Sequence, residues 1–190
     1  IVVSPTSTIE SGTVVIREGI IEAVGAKIPI PQDAVVYDLK GKTVYPSFIE
    51  MDSDYGMPVP PPPGVPNRFT QSPPQYESKT QGAYSWNEAL KPEKQAHTTF
   101  VVNPKAADEM RRLGFGAALT FQHDGIARGA AALVSFGEGK ENTLILRDRA
   151  AAALSLNRGS SRQEYPISLM GVLALLRQTY LDAQWYKQAR

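Results

Sequence analysis

The chain has 190 residues, of which 42% are hydrophobic and 21% charged, a balance that is ordinary for a globular protein. Its net charge is +1 and no cluster of Lys and Arg stands out, which argues against a nucleic-acid or anionic-membrane partner. There is no cysteine, which excludes disulfides and thiolate metal sites, and no apolar run approaches the roughly 18 residues of a membrane span.

The first residue is Ile1 rather than methionine, which indicates that the numbering begins inside a longer precursor. A cleaved signal peptide and a trimmed chain would both produce such a start. The first of these would place the protein outside the cytoplasm, but the sequence alone leaves the compartment open.

The first 45 residues read as short strands joined by turns, a pattern typical of part of a small β-sandwich. The β-branched runs 13–17 and 20–25 flank Glu18 and Gly19, which predicts a hairpin with glycine at a position of positive φ. Another strand is expected over 34–39. We therefore assign residues 1–45 to a β-sandwich portion.

The segment 44–56 begins as an apolar strand and ends in alternating acids. If the strand continues to Asp54, its period of two puts the carboxylates of Glu50, Asp52 and Asp54 on one face. Three adjacent negative charges need a cation, hydrogen-bond donors or open water. The end of this strand is therefore the first candidate site.

Residues 57–74 are rich in proline, with four consecutive prolines at 60–63. Proline fixes φ and removes backbone donors, which predicts an extended, polyproline-like loop. Such a loop is either a docking segment for a proline-binding module or a long connection over the surface.

A short helix is predicted over 103–114. Asn103 is a good N-cap, Pro104 suits the first helical position and Gly114 ends the helix. The apolar run 115–121 follows at once and predicts a strand that pairs in parallel with the acidic strand. The connection between the two strands is expected to be a right-handed crossover.

The polar loop 122–129 follows the carboxyl end of that strand, where parallel α/β sheets collect catalytic groups. His123 can act there as a general base or a substrate donor, and Arg128 can hold a substrate carboxylate. Neighbouring strand residues point to opposite faces, so His123 and Asp124 need not cooperate. The alternative is a loop whose polar groups satisfy each other.

The remaining chain predicts strands over 130–136 and 143–146, whereas 150–154 fits either a helix or a buried strand. The final element is a helix. The run 161–164 resembles a capping box, and leucines recur downstream at helical spacing from Leu169.

The runs 12–25 and 37–50 resemble the N-terminus of the amidohydrolase superfamily, in particular its imidazolonepropionase-like members. The pieces 114–116, 122–129 and 168–171 are similar to a subgroup of amidohydrolase-related proteins. The resemblance implies a β-sandwich shared between both chain ends and a metal-bearing (β/α)8 barrel. It also implies a hydrolase of C–N bonds other than peptide bonds, acting on a small-molecule substrate.

The sequence departs from this family at the metal ligands. The family carries a His-any-His pair on its first barrel strand, whereas this chain has Asp52 and Asp54 at those positions. The zinc site of the family is therefore not carried over. Carboxylates suit harder divalent cations, so either Asp52 and Asp54 bind such a metal or metal binding has been lost here. His123 and Arg128 are the candidate substrate contacts.

The chain also departs from the family in being too short for a complete barrel. A complete barrel takes about 250 residues, and only about 140 follow Pro46. We therefore expect an α/β chain in which residues 46–190 form an incomplete barrel, completed by the remainder of its own polypeptide or by a complementing chain. The expected partners also include further copies of the chain in a homo-oligomer. The alternative is a degenerate, metal-free module that acts in binding or assembly through the proline-rich loop and is inactive as this piece.

Overall fold

A computed structural model describes residues 1–64, 72–81 and 86–189 of the chain. The chain combines helices and sheets and divides into two compact units, Ile1–Ser47 and Phe48–Arg190. Of the proline-rich segment expected at 57–74, residues 65–71 lie outside the described residues, and 57–64 form neither helix nor strand. None of the helices described is long and apolar enough to cross a membrane.

The first unit consists of two antiparallel strand pairs. Its strands are β1 (Val2–Ser4), β2 (Ser7–Thr8), β3 (Thr13–Arg17) and β4 (Ile20–Gly25). The predicted hairpin is confirmed as β3 and β4, and both turn residues, Glu18 and Gly19, have positive φ. The strand predicted over 34–39 is wrong. Val35 and Tyr37 are each 80% exposed, and a β-branched run without a neighbouring strand gains no ladder of hydrogen bonds.

The second unit is built on one four-stranded sheet. Its elements are β5 (Phe48–Ser53), α1 (Ala96–Thr99), α2 (Pro104–Arg112), β6 (Phe115–Thr120), β7 (Ala127–Ser135), α3 (Glu141–Leu144), β8 (Ile145–Leu154) and α4 (Leu169–Ala189). The strand order is β5-β6-β7-β8, and β5 pairs with β6 in parallel, as predicted. β7 and β8 run antiparallel to their neighbours. A (β/α)8 barrel is parallel throughout, so this mixed sheet does not confirm the incomplete barrel, which stays a prediction.

The core of this unit lies against the central strands. Ala118 and Val134 are fully buried in β6 and β7, and Phe136 packs edge-on against Tyr55 with ring centroids 4.9 Å apart. The hydroxyl of Thr120 donates to the backbone oxygen of Tyr55 at 2.7 Å. This bond fixes the chain just beyond β5 to the end of β6, where the candidate residues lie.

Helix α2 begins and ends as the sequence predicts. The side chain of Asn103 accepts a hydrogen bond from the backbone nitrogen of Ala106 at 3.2 Å, and Pro104 is the first helical residue. The chain leaves the helix at Gly114 with φ of +93° and enters β6 at the next residue. The tight turn aligns β6 with β5, because the backbone nitrogen of Phe48 donates to the oxygen of Gly114 at 2.9 Å.

Two later boundaries differ from the prediction. The strand expected over 143–146 starts two residues later than predicted, because α3 extends to Leu144 and β8 then runs from Ile145 to Leu154, which makes 150–154 a strand. Helix α4 begins at Leu169, where Ser168 caps it by accepting a hydrogen bond from the nitrogen of Gly171 at 3.1 Å. The capping box predicted at 161–164 is wrong. The side chain of Gln163 instead accepts a hydrogen bond from the backbone nitrogen of Glu88 at 2.6 Å, which is a tertiary contact.

Candidate functional site

The carboxyl ends of the parallel strands β5 and β6 bring two predicted site residues together. The ladder extends beyond β6, since the backbone nitrogen of Phe121 donates to the oxygen of Ser53 at 3.0 Å. Two residues further, the Nε2 atom of His123 lies 3.0 Å from Oδ1 of Asp52. The pair forms because parallel strands end at the same edge of a sheet.

The pair is unequal in its exposure to water. The side chain of Asp52 is 75% exposed and that of His123 is 32% exposed. The Nε2 atom itself is buried and makes no hydrogen bond with any described residue, so its approach to Asp52 lacks the alignment that a hydrogen bond requires. Nε2 therefore keeps its capacity to bind a further partner.

The structure does not bring Asp54 to this pair. β5 ends at Ser53, so the condition for aligning three carboxylates on one strand face is not met. Asp54 is exposed, and its side chain makes no hydrogen bond or ion pair with the residues that are described. Glu50 instead accepts a hydrogen bond from the backbone nitrogen of Asp52 at 3.1 Å. Asp52 is thus the carboxylate that faces the loop after β6.

Arg128, at the start of β7, lies beside the same loop. Its Nε donates to the backbone oxygen of Gly125 at 3.1 Å, and its guanidinium carbon lies 5.9 Å from the centroid of the Phe121 ring. The same ring lies 4.9 Å from the imidazole of His123. Phe121 is buried, so Arg128 and His123 both lie near one fixed aromatic ring.

Burial lowers the pKa of Arg128, and the carboxylates of Asp52 and Asp124 raise it by less. The ordinary pKa of arginine lies so far above neutral pH that the guanidinium stays charged after this lowering. The site therefore holds a half-buried cation near one exposed carboxylate.

Asp124 belongs to a second cluster that the sequence did not predict. It is 4% exposed and accepts hydrogen bonds from Nζ of Lys91 and from the backbone nitrogen and hydroxyl of Ser160, the last two at 2.7 and 2.9 Å. Desolvation acts to raise its pKa, but the hydrogen bonds from Lys91 and Ser160 outweigh it and lower the pKa below its usual value. The sequence indicated only that His123 and Asp124, as neighbours, need not cooperate.

A segment before α1 holds the loop from the other side. The backbone of Ile126 donates to Ala89 at 2.7 Å, and that of Ala130 donates to Lys94 at 2.9 Å. Gly129 has φ of +83°, and a Cβ at this position would overlap the Lys94 carbonyl oxygen. The backbone on both sides of Arg128 is therefore fixed.

The donor pair of Asp52 and His123 is compatible with a divalent metal. Two ligands that each bind at about 2.1 Å with a bond angle near 90° lie about 3 Å apart, and Oδ1 of Asp52 is 3.0 Å from Nε2 of His123. The buried Nε2 also lacks a hydrogen bond among the described residues. These residues contain no group of three or more His, Asp or Glu side chains able to hold a metal, so further ligands would come from outside them.

Comparisons with known proteins identify a shared fold. No protein-family model matches the chain, and no match was found among curated proteins. The structure is similar to that of an amidohydrolase from Thermotoga maritima MSB8, with a TM-score of 0.61 and 24% sequence identity. The match covers 93% of this chain and 44% of that chain, so this chain spans less than half the length of that protein. Over this region, the two proteins have the same fold.

Proposed function

We propose that the intact protein belongs to the amidohydrolase superfamily and hydrolyses C–N bonds other than peptide bonds in a small molecule. The fold shared with an amidohydrolase supports the proposal at the level of architecture. The observation that carries it is the 3.0 Å approach of Asp52 and His123 at the carboxyl ends of β5 and β6. Catalytic groups collect at this edge of parallel α/β sheets.

In this proposal Asp52 and His123 are two ligands of a divalent ion, and Asp54 is a further carboxylate available at the same strand end. When bound, such an ion supplies Lewis-acid polarisation of the scissile carbonyl and activation of water. Arg128 contacts the substrate, and the Phe121 ring, which lies near both Arg128 and His123, provides an apolar surface. If no metal binds, His123 is the general base of the site, beside the carboxylate of Asp52.

Metal binding tests the ligand assignment. We expect isothermal titration with Mn²⁺ or Zn²⁺ to show at least about tenfold weaker binding by the Asp52→Ala variant of the intact protein, because one ligand is lost. His123→Ala should have a similar effect, and Asp54→Ala shows separately whether the second carboxylate contributes.

The matched control is Asp148→Ala, which removes an exposed carboxylate on β8. Wild-type affinity is expected for this variant. Equal metal affinity and content in the wild type, Asp52→Ala and His123→Ala would contradict the ligand assignment.

A second candidate function is a non-catalytic module for binding or assembly. The exposed apolar side chains of the β3–β4 hairpin favour it, since Ile16, Ile20 and Ile21 are 65, 70 and 61% exposed. Under this alternative the proline-rich segment 57–74 is also a partner surface. Equal capture of a partner with and without that segment would count against the segment's role.

A further inference from the structure

We propose that Lys91 is a positioning residue of this site, which acts through Asp124 to hold His123 beside Asp52. The inference rests on the proposed function and adds to it a residue that lies outside the loop after β6. Lys91 belongs to the segment before α1 and contacts that loop at two points. Its backbone nitrogen donates to the oxygen of Ala127 at 2.8 Å, and its Nζ donates to the carboxylate of Asp124.

His123 is the central residue of a short turn that is held on both sides. Before the turn, the backbone nitrogen of Phe121 donates to the oxygen of Ser53 in β5 at 3.0 Å. The backbone nitrogen of Asp124 donates to the oxygen of Gln122 at 2.9 Å, which closes three residues around His123. The direction of the His123 side chain therefore depends on where Asp124 is fixed.

The side chain of Asp124 is fixed through both of its carboxylate oxygens. Oδ1 accepts from the backbone nitrogen of Ser160 at 2.7 Å, and Oδ2 accepts from the hydroxyl of Ser160 at 2.9 Å and from Nζ of Lys91. Hydrogen bonds between charged groups are stronger than neutral ones, and a carboxylate that is 4% exposed has little water to replace a lost partner. Removing the ammonium of Lys91 therefore leaves a buried negative charge without its paired cation.

Lys91 acts through this carboxylate and not on the reacting groups. Among the described residues, its Nζ bonds to Asp124 and to the hydroxyl of Ser160, the latter at 3.1 Å, and to neither member of the Asp52–His123 pair. The cluster is also closely packed, since a Cβ at position 159 would overlap Oδ1 of Asp124. Side chains that are locked by packing and by hydrogen bonds keep a neighbouring functional group in one geometry.

The two contacts of Lys91 allow the positions of His123 and Arg128 to be separated. Replacing the side chain at 91 removes the bond to Asp124, which follows His123 in the chain. The replacement leaves the backbone bond to Ala127, which precedes Arg128. Lys91→Met should therefore displace His123 while the start of β7 stays in place.

NMR of the intact protein with labelled His, Phe and Tyr side chains tests this inference without substrate or metal. The rings of His123 and Phe121 have centroids 4.9 Å apart, which predicts a nuclear Overhauser effect (NOE) between them in the wild type. Lys91→Met is expected to lose this NOE. It should keep the NOE between Tyr55 and Phe136, whose ring centroids also lie 4.9 Å apart but in the core.

Two control variants and a kinetic measurement complete the test. Lys91→Arg should retain both NOEs because it restores the charge and the donors. Lys105→Met, which removes an exposed lysine on α2, should also retain both. With small amides as substrates, Lys91→Met should lower kcat at least about tenfold. The KM should change little, because the backbone beside Arg128 keeps its position.

An NOE between His123 and Phe121 that is absent from the wild type, or that persists in Lys91→Met, would overturn the inference. Loss of both NOEs in Lys91→Met would also overturn it, since Lys91 would then hold the whole fold. Equal loss of the His123 NOE in Lys91→Arg and Lys91→Met would show that the charge does not matter.

The NOE result is separable from the proposed function because it needs no turnover. A protein that hydrolyses amides and keeps the His123 NOE in Lys91→Met loses only this inference. One that shows the expected loss of the NOE but hydrolyses no amide loses the proposed function, while Lys91 still positions His123.

Discussion

Replacing Asp124 by alanine is expected to lower the free energy of unfolding by about 3 kcal/mol. The carboxylate is 4% exposed and accepts hydrogen bonds from Lys91 and from two groups of Ser160. Its removal leaves a lysine and two neutral donors without their acceptor. The cost lies near the lower end for a broken buried pair, because the Lys91 side chain is 19% exposed and keeps contact with water.

Urea unfolding at pH 7 measures this loss, and Asp108→Ala is the control. Asp108 is 44% exposed and pairs with Arg111 and Arg112 on the surface of α2, so its loss should cost less than about 0.5 kcal/mol. A loss below about 1 kcal/mol in Asp124→Ala would mean that the cluster does not stabilise the loop.

The same cluster has a defined dependence on pH. The pKa of Asp124 is lowered in the folded protein, so the carboxylate stabilises the fold above its unfolded pKa of about 3.9. That stabilisation is lost as the pH falls through the folded pKa. The stability difference between the wild type and Asp124→Ala should therefore be constant from about pH 5 to 7 and shrink below about pH 4.

Gly129→Ala is expected to lower the free energy of unfolding by at least about 3 kcal/mol. The residue has φ of +83°, which alanine adopts only with strain, and the added Cβ would overlap the backbone oxygen of Lys94. That oxygen accepts the hydrogen bond of Ala130 at 2.9 Å, so the backbone cannot shift without losing the bond. The displacement should also move Arg128, the proposed substrate contact.

Gly114→Ala is the control that separates the backbone strain of a positive φ from the overlap of an added Cβ with neighbouring atoms. Gly114 has a similar φ of +93°, but the nearest atom to an added Cβ would be a side-chain carbon of Phe48 at 3.5 Å. This variant should lose only about 1 kcal/mol. Equal losses in the two variants, measured by urea unfolding, would show that crowding at Lys94 has no effect.

The elements that the sequence predicted well depend on neighbouring residues. The β3–β4 hairpin follows from two β-branched runs around Glu18 and Gly19, and α2 follows from the cap at Asn103 and the stop at Gly114. The parallel pairing of β5 with β6 was also predictable. It in turn indicated that residues of the loop after β6 lie near the end of β5.

The elements that the sequence missed depend on distant partners. Lys91 and Ser160 lie 33 and 36 residues from Asp124, and no local pattern connects them. Gln163 looked like part of a helix cap in the sequence. Its actual partner is the backbone of Glu88, 75 residues away along the chain, and no local pattern indicates that contact. The antiparallel direction of β7 and β8 likewise depends on pairing that their composition does not specify.

The candidate site was predicted in part. Asp52, His123 and Arg128 were chosen from the sequence. The structure places His123 beside Asp52, and the ring of Phe121 lies near both His123 and Arg128. The grouping of Asp52 with Asp54 assumed that β5 continues to Asp54, but the strand ends at Ser53. A chain that leaves its strand one residue early loses the alternation on which that grouping depended.

The most direct test of the proposed function is hydrolysis of small amides and cyclic amides by the intact protein, supplied with Mn²⁺ or Zn²⁺. Release of the free amine measures cleavage of the C–N bond. We expect hydrolysis by the wild type and by Asp148→Ala, and its loss in Asp52→Ala and His123→Ala. Absence of hydrolysis in the wild type, or equal rates in the wild type and Asp52→Ala, would contradict the proposed function or its site.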